Sequence, residues 1–257
     1  MNNEIMTTEL VSVYIPTHFR PELLDRAIKS VFNQYYKNVE VVVCIDGECL
    51  KTLDVVNKWV EDGFNLLYHV EKTPKGACFC RNKAISMCTG TFITGLDDDD
   101  YFQEKRITDF MRNYNNEREI LYTNYTVKSN DEKFRISPAI NVGDRIYEFN
   151  YIGNQVFFHR SVAKCDIFCE DMPAWQDYEA WLSLYDKGYK FKLLNLANYV
   201  VDLSHPHERI TKNTKKINKA YELIVNKHNR FKIEPNKSFL KYSLYRYPGV
   251  KIKIEDI

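Results

Sequence analysis

A run of four aspartates follows the apolar stretch TFITGL of residues 91–96. Adjacent carboxylates repel one another, so they are tolerated on a solvated loop or where a cation holds them together. In an extended segment alternate side chains share a side, so Asp97 and Asp99 converge on one ion. Asp98 and Asp100 then point elsewhere. Such hard oxygen ligands suit Mg²⁺ or Mn²⁺. The run therefore predicts a divalent-metal site, with a solvated acidic loop as the alternative.

The elements before the aspartates predict an α/β domain. Strands are predicted at residues 11–16, 39–47, 65–70 and 91–96, and helices from Pro21, at 51–61 and at 76–90, the last closed by Gly90. This alternation favours a parallel sheet with right-handed crossovers. Ligands of such sheets bind beyond the carboxyl ends of the strands, which is where the aspartates stand.

The later sequence changes character. Further strands are predicted at residues 119–129, 132–137, 154–160 and 189–203, with a turn at 130–131 and helices at 175–188 and 210–230. We divide the chain into a catalytic domain, residues 1–204, and a C-terminal extension, residues 205–257. The extension holds 13 Lys and Arg against 5 Asp and Glu, interleaved with Tyr and Phe. It predicts contact with an anionic surface, and a solvated lysine-rich face is the alternative.

Composition and the N-terminal sequence indicate a cytoplasmic protein. MNNEIMTTEL has neither the basic region nor the apolar core of a signal peptide, and no run of eighteen apolar residues occurs. The seven cysteines are scattered, several of them in apolar runs, which suits a reducing compartment. The spacings Cys78–Cys80 and Cys165–Cys169 differ from the CxxC of zinc sites, so zinc is not expected.

Four stretches resemble the inverting family 2 glycosyltransferases of the GT-A fold. They are VSVYIPTHFRPELLDRAIKSVFNQ, VEVVVCIDGE, KGACFCRNKAISMCTGTFITGLDDDD and AWQDYEAWLSLYDKG, in family order over residues 10–190. The resemblance implies an α/β GT-A fold, a Rossmann-like and mostly parallel central sheet flanked by helices, here with the basic extension. It also implies a nucleotide-sugar half at about 10–100 and an acceptor half at 101–204.

The same resemblance implies a donor site. Its nucleotide-sugar-binding positions are Pro16, Thr17, Arg20, Asp46, Arg81, Asn82, Asp97 and Asp98. Among them, Asp46 matches the carboxylate that commonly meets a uracil ring, and Arg81 flanks the diphosphate pocket. Asp97 and Asp99 correspond to the first and last acids of the DxD metal motif. Mn²⁺ or Mg²⁺ is the implied cofactor, with His205 as a candidate third ligand.

The acceptor motif implies that Asp177 is the general base. A carboxylate within hydrogen-bond reach can take the proton of an acceptor hydroxyl as the new bond forms. Because Asp177 begins a predicted helix, we expect the helix N-terminus to keep its pKa low. Asp171 and Glu179 are rivals, but Glu179 lies two residues on and faces another way. The acceptor-binding candidates are Trp175, Asp171, His207 and Arg209, with a lesser candidate at Gly153-Asn154-Gln155.

Two positions depart from the family pattern. Cys44-Ile45-Asp46 lacks the first acid of the usual paired turn, so recognition of the base is less defined. Gln176 stands where many members have Glu, which leaves Asp177 as the single acid of that pair.

The resemblance implies transfer of a hexose, glucose or galactose, from a UDP-sugar with formation of a β-linkage. It is closest to O-antigen and lipopolysaccharide enzymes, which implies a lipid-diphosphate-linked saccharide acceptor and a membrane-associated protein at the inner face of the plasma membrane. No nucleic-acid partner is expected. One alternative is a nucleotidyltransferase, which would place a Gly-rich loop where IPTHFRPE has no glycine. The other is a non-catalytic sugar- or lipid-binding scaffold.

Overall fold

The structure, a computed structural model, describes residues 8–131, 133–137, 139–148, 150–153, 156–205 and 214–228. The strands are β1 (Val11–Thr17), β2 (Val39–Asp46), β3 (Leu66–Glu71), β4 (Phe92–Gly95), β5 (Tyr101–Phe102), β6 (Glu119–Lys128), β7 (Phe134–Ser137), β8 (Phe157–His159) and β9 (Lys190–Asp202). The helices are α1 (Pro21–Phe32), α2 (Leu50–Glu61), α3 (Ala77–Met87), α4 (Arg106–Asn113), α5 (Gln176–Asp186) and α6 (Thr214–Lys227).

The first four strands form the parallel part of one sheet. β1 lies between β2 and β4, and β3 pairs with the other side of β2, all in parallel register. Every residue of β1 and β2 is buried, as expected for apolar strands covered on both faces. β1 and β4 therefore end at the same edge of the sheet, and the aspartates follow β4 there.

The rest of the sheet is mixed. Along the described residues the strand order is β3-β2-β1-β4-β8-β6-β9-β5, with β7 on β6. β8 is antiparallel to both β4 and β6, whereas β9 is parallel to β6. The predicted helices and strands are confirmed with end shifts of a few residues. The sequence did not predict β5 and α4, which are short.

Gly90 does not close α3, so that prediction was wrong. The helix ends at Met87, and Cys88 is already extended. A Cβ on Gly90 would lie 2.6 Å from both the backbone oxygen of Leu10 and the Oγ of Ser12. Glycine at this position allows close approach to β1 rather than a left-handed helix cap.

α6 packs into the same apolar cluster as α5. Ile217, Ala220 and Ile224 are buried there together with Trp181. The division of the chain at residue 204 stays a prediction, and residues 229–257 lie outside the described part. In the part of the chain that the structure describes, no helix combines the length and apolar content needed to cross a bilayer.

Candidate active site

The four aspartates form a turn, which we call the aspartate turn (residues 97–100). The backbone N–H of Asp100 donates to the carbonyl of Asp97 over 3.1 Å. The expected extended segment was therefore wrong, because the chain reverses direction directly after β4. Asp98 is buried and stays outside the group formed by the other three carboxylates. Asp100, which was also expected to point elsewhere, instead lies with Asp97 and Asp99, because the turn brings it back beside them.

Asp98 fastens the turn to the connection between β1 and α1. The hydroxyl of Thr17 donates to Asp98 over 2.7 Å. Arg20 donates from one nitrogen to both Asp98 and Asp99, each at 3.0 Å. Burial raises the pKa of Asp98 to about 7, although Arg20 opposes the shift. Thr17 and Arg20, both predicted site residues, thus meet the carboxylates directly.

Three aspartates group their oxygens closely enough to share one ion. Asp97, Asp99 and Asp100 each place an oxygen within 4.8 Å of the others. Asp100 also accepts from the Tyr199 hydroxyl at 2.8 Å and from a backbone N–H of β9. Asp97 and Asp99, whose side chains are 29% and 16% exposed, are the more accessible members. His205 Nε2 lies 3.4 Å from Asp99. Oxygen donors with one imidazole fit Mn²⁺ or Mg²⁺.

Arg26 of α1 supports the aspartate turn from behind. One of its nitrogens donates to the backbone carbonyl of Asp99 over 2.6 Å. The other forms an ion pair with Asp202 at the end of β9. Asp202 in turn accepts the backbone N–H of Ser204 at 2.8 Å, next to His205. The sequence prediction missed Arg26, since it reads as an ordinary polar residue of an amphipathic helix.

Asp46, Asn82 and Pro16, three further predicted nucleotide-binding residues, are held within the fold. Asp46 accepts the backbone N–H groups of Lys75 and Gly76, at 2.7 and 3.0 Å, and so fixes the start of α3. Asn82 exchanges two hydrogen bonds, 2.7 and 2.9 Å, with the backbone of Phe168. Pro16 is buried within β1. Their contacts with a nucleotide remain predictions.

Arg81 joins the aspartate turn to α5. One nitrogen donates to Asp97 over 3.0 Å, and another donates to the side-chain oxygen of Gln176 over 2.8 Å. Its guanidinium also lies 5.3 Å from the ring centre of Phe168. Burial is the largest single effect and opposes the positive charge, but the Asp97 carboxylate, Cys78 and Tyr14 together raise the pKa of Arg81 above its ordinary value. The side chain is therefore a fixed cation between the two halves of the site.

Asp177 lies in the first turn of α5 and is partly buried. Its Oδ2 accepts a hydrogen bond of 2.8 Å from the amide of Asn150. Burial raises the pKa of Asp177, and both Arg81 and Asn150 oppose the shift. The expected low pKa was therefore wrong, because loss of water around the carboxylate exceeds the effect of the helix N-terminus. No sequence signal marked Asn150.

The remaining acceptor candidates are spread around the start of α5. Trp175 precedes the helix with φ +52° and packs partly against the core, whereas Asp171 is exposed. Glu179 faces another way than Asp177, as predicted; it pairs with Lys227 of α6 and accepts from Ser183 at 2.7 Å. The candidates His207, Arg209, Asn154 and Gln155 lie outside the described residues.

Sequence comparison identifies relatives over most of the chain. The pattern of Glycosyl transferase family 2 matches residues 12–168. The colanic acid biosynthesis glycosyl transferase WcaA of Escherichia coli K12 is 30% identical over 248 residues, which are 92% of this chain and 88% of WcaA. The UDP-Glc:alpha-D-GlcNAc-diphosphoundecaprenol beta-1,3-glucosyltransferase WfaP of E. coli is 28% identical, over 74% of this chain and 76% of WfaP.

Solved structures share the fold. TarS of S. aureus in complex with UDP-GlcNAc superposes with a TM-score of 0.73 at 19% identity, covering 96% of this chain and 77% of that one. The mannosyltransferase PcManGT of Pyrobaculum calidifontis, with GDP-Man and Mn²⁺, gives 0.64 at 17% identity, covering 91% and 69%. The expected GT-A fold is confirmed, and the chain belongs to glycosyl transferase family 2.

Proposed function

We propose that this chain is a metal-dependent, inverting hexosyltransferase that takes its sugar from a UDP-linked donor. The observation that carries the proposal is the bridge made by Arg81. It connects Asp97, on the side predicted to bind the donor, with the helix that begins at Gln176 and presents Asp177. A displacement reaction needs a leaving diphosphate on one side and a base on the other, and the link between Asp97 and the start of α5 supports that assignment.

The relatives support the choice of substrates. The name of WfaP specifies UDP-glucose as donor and a diphosphoundecaprenol-linked sugar as acceptor, and WcaA is assigned to colanic acid biosynthesis. TarS was solved with UDP-GlcNAc in a related fold. We therefore propose glucose or galactose as the transferred hexose. The proposed acceptor is a lipid-diphosphate-linked saccharide of a bacterial surface polysaccharide such as O-antigen or lipopolysaccharide.

On the donor side, the proposed nucleotide contacts are Pro16, Thr17, Arg20, Asp46, Arg81, Asn82, Asp97 and Asp98. Asp97, Asp99 and His205 are the side chains that would hold Mn²⁺ or Mg²⁺. When bound, such an ion neutralises charge on the departing diphosphate. Arg20 and Arg81 add fixed positive charge at the same edge, so the chain itself supplies part of that stabilisation.

On the acceptor side, Asp177 accepts the proton of the attacking hydroxyl. Its raised pKa makes it a stronger proton acceptor than an exposed aspartate. The hydroxyl oxygen forms the bond to the anomeric carbon as the bond to the diphosphate breaks. One displacement inverts that carbon, so an α-linked donor gives a β-linked product. Trp175, Asp171, His207 and Arg209 are the proposed acceptor contacts.

The basic extension, residues 205–257, is the proposed contact with the membrane that carries the acceptor. Its excess of Lys and Arg would attract an anionic leaflet, which supports the proposal of a cytoplasmic enzyme held peripherally at the inner face of the plasma membrane.

Calorimetry tests the donor site. UDP and GDP are titrated with Mn²⁺, Mg²⁺ or EDTA into wild type, Asp99→Ala and the exposed control Asp54→Ala. We expect UDP binding that needs metal, is retained in Asp54→Ala and is lost in Asp99→Ala. Absence of nucleotide binding under every condition would overturn the donor site.

Turnover tests the class of reaction. Wild type and Asp177→Asn are incubated with UDP-glucose or UDP-galactose and a lipid-diphosphate-linked saccharide, and released UDP is measured. We expect release with wild type and a large loss in Asp177→Asn. Unchanged turnover in the variant would overturn the base. Release of inorganic pyrophosphate from UTP and a sugar phosphate would instead identify a nucleotidyltransferase, and nucleotide binding without any turnover would identify a non-catalytic scaffold.

A further inference from the structure

The loop of residues 139–153 is held against α5, the helix that carries Asp177, by two aromatic side chains of that helix. The Tyr178 hydroxyl donates to the carbonyl of Ile146 over 2.7 Å, and the Trp181 indole N–H donates to the carbonyl of Gly153 over 2.5 Å. Tyr178 and Trp181 are both fully buried. The described part of this loop is therefore fixed to α5 at two points, Ile146 before Asn150 and Gly153 after it.

The amide of Asn150 can adopt one orientation within this loop. Its Oδ1 accepts the backbone N–H groups of Ile152 and Gly153, at 3.2 and 3.0 Å. A reversed amide would point its NH₂ group at two donors, which is unfavourable. The NH₂ group must therefore face the other way, where Oδ2 of Asp177 lies 2.8 Å away. The backbone of the loop thus dictates a hydrogen bond to the proposed base.

The ionisable groups around the base come from three elements. They are Arg81 and Cys78 of α3, Tyr14 of β1 and Asp97 of the aspartate turn. Burial raises the pKa of Cys78 to about 12 and raises that of Tyr14 further above its ordinary range, so both are neutral at physiological pH. Arg81 places a positive charge near Asp177, whereas Asn150 gives Asp177 a directed hydrogen bond from an uncharged donor.

We propose that Asn150 is a positioning residue that fixes the orientation of the Asp177 carboxylate toward the acceptor hydroxyl. The inference rests on the proposed role of Asp177 as the general base. Neither the family pattern nor the sequence motifs assign a role to Asn150. An aspartate carboxylate can rotate about its side-chain bonds, so that either oxygen faces a given direction. One directed hydrogen bond restricts much of that rotation.

Asn150→Asp is the sharpest variant, because it has the same shape and keeps the oxygen that accepts from Ile152 and Gly153. It replaces the donor with an anion that faces Asp177. Asn124→Asp is a matched control, since Asn124 also holds a loop, by accepting from Ala139 over 2.8 Å, but donates to Asn195 instead of the base. Asn150→Ala removes the donor without adding charge.

The measurements are kcat, KM for the UDP-sugar and thermal unfolding, each from pH 5 to 9. We expect Asn150→Asp to lower kcat about 10- to 100-fold at neutral pH and to move the acidic limb upward by about one to two pH units, because a like charge raises the pKa of Asp177. We expect Asn150→Ala to lower kcat with a smaller displacement of the limb, and KM for the donor to stay near wild type in both.

Wild-type kcat and pH profile in Asn150→Asp, or the same change in Asn124→Asp, would overturn the positioning role. Failure of the proposed function has a different signature. Asp177→Asn would then keep its turnover, or wild type would show no transfer at all, whatever stands at residue 150.

Discussion

Arg81 on α3 donates a hydrogen bond of 2.8 Å to the side-chain oxygen of Gln176 on α5. Gln176 also donates to the carbonyl of Met172 over 3.1 Å, so the orientation of its amide is defined. A glutamate at this position would face Arg81 with a second negative charge besides that of Asp97. The glutamine keeps the contact and leaves the positive charge of Arg81 shared between Asp97 and Asp177.

Replacing Arg81 with lysine should separate charge from geometry. The ammonium group keeps the positive charge but lacks the planar fork that reaches Asp97 and Gln176 together. We expect kcat to fall about 10- to 100-fold, a loss of about 1.4 to 2.8 kcal/mol in transition-state stabilisation. Steady-state kinetics measure the loss, with Arg118→Lys, an exposed substitution, as the control. Wild-type kcat in Arg81→Lys would show that the bridge has no catalytic role.

Asp177→Asn should lose activity and gain stability. Removing a general base typically costs about 10²- to 10⁴-fold in rate. Because burial raises the pKa of Asp177, its ionised form is less favourable in the folded than in the unfolded chain at neutral pH. We therefore expect a higher Tm for the variant at pH 7 and a smaller difference at low pH, where wild type is protonated. Calorimetric unfolding at two pH values measures both, and a lower Tm at pH 7 would contradict the assignment of burial as the dominant cause.

The wild-type rate should depend on pH through the same carboxylate. Asp177 accepts a proton only when ionised, and its pKa is above the ordinary value for aspartate of about 3.9. Activity should therefore fall on acidification at a pH above that value, while the folded state persists. A profile of kcat against pH, with circular dichroism at each point, measures the limb. A rate that stays constant down to pH 4 would contradict the prediction.

Glu179 should matter for stability rather than for chemistry. Burial opposes its ionisation, but the nearby imidazole of His228 and hydrogen bonds from Lys227 and Ser183 prevail and hold its pKa at about 2. Glu179 is buried but the Lys227 side chain is half-exposed, so losing these charged hydrogen bonds should cost about 1.5 to 3 kcal/mol, and Glu179→Gln should unfold at lower urea concentration. The stabilisation is complete above the unfolded pKa of about 4.3 and is lost as pH falls toward 2. Under conditions in which the variant is fully folded, its UDP binding should be unchanged. A variant as stable as wild type would contradict the proposed role of Glu179 in stability.

Arg26→Ala should weaken metal binding through the backbone. The side chain holds the carbonyl of Asp99 and contacts no carboxylate of the proposed ion directly. We expect the Mn²⁺ concentration for half-maximal nucleotide binding to rise about tenfold, which corresponds to about 1.4 kcal/mol. Lys29→Ala, an exposed change on the same helix, is the control. An unchanged Mn²⁺ requirement in a folded Arg26→Ala protein would exclude this supporting role.

The sequence predicts most of the architecture because its elements are long and periodic. β2 is apolar apart from Glu40 and Asp46, and α1 buries Leu24, Ala27, Ile28 and Val31 at helical spacing after Pro21. α4 escaped prediction because its eight residues include Arg106, a charged side chain that the fold buries completely under the rings of Phe102 and Phe110. Arg106 also donates to Asn198 over 2.9 Å and lies 5.0 Å from the ring centre of Tyr199, so its burial depends on partners far along the chain that no local pattern contains.

The site residues likewise divide into those that the sequence predicts and those that it does not. Asp97, Asp99 and Asp177 stand in motifs whose residue types state their chemistry, and the structure brings their neighbourhoods together through Arg81. The turn at residues 97–100, the support from Arg26 and the hydrogen bond from Asn150 required tertiary structure. The raised pKa of Asp177 belongs to this second group, because helix position is visible in a sequence and loss of solvent is not.

Two parallel pairings in the sheet have a consequence for the time course of folding. β1 pairs with β4 across 81 positions, from Val11 opposite Phe92, and β6 pairs with β9 across 71 positions, from Glu119 opposite Lys190. The pairings of β1 with β2 and of β2 with β3 join residues only 28 and 25 positions apart. Closing a longer loop costs more entropy and slows the step that depends on it. The ribbon of β1, β2 and β3 can therefore form early, whereas the aspartate turn after β4 and α5 just before β9 both wait for a long-range pairing. A newly made chain should acquire both sides of its proposed site late.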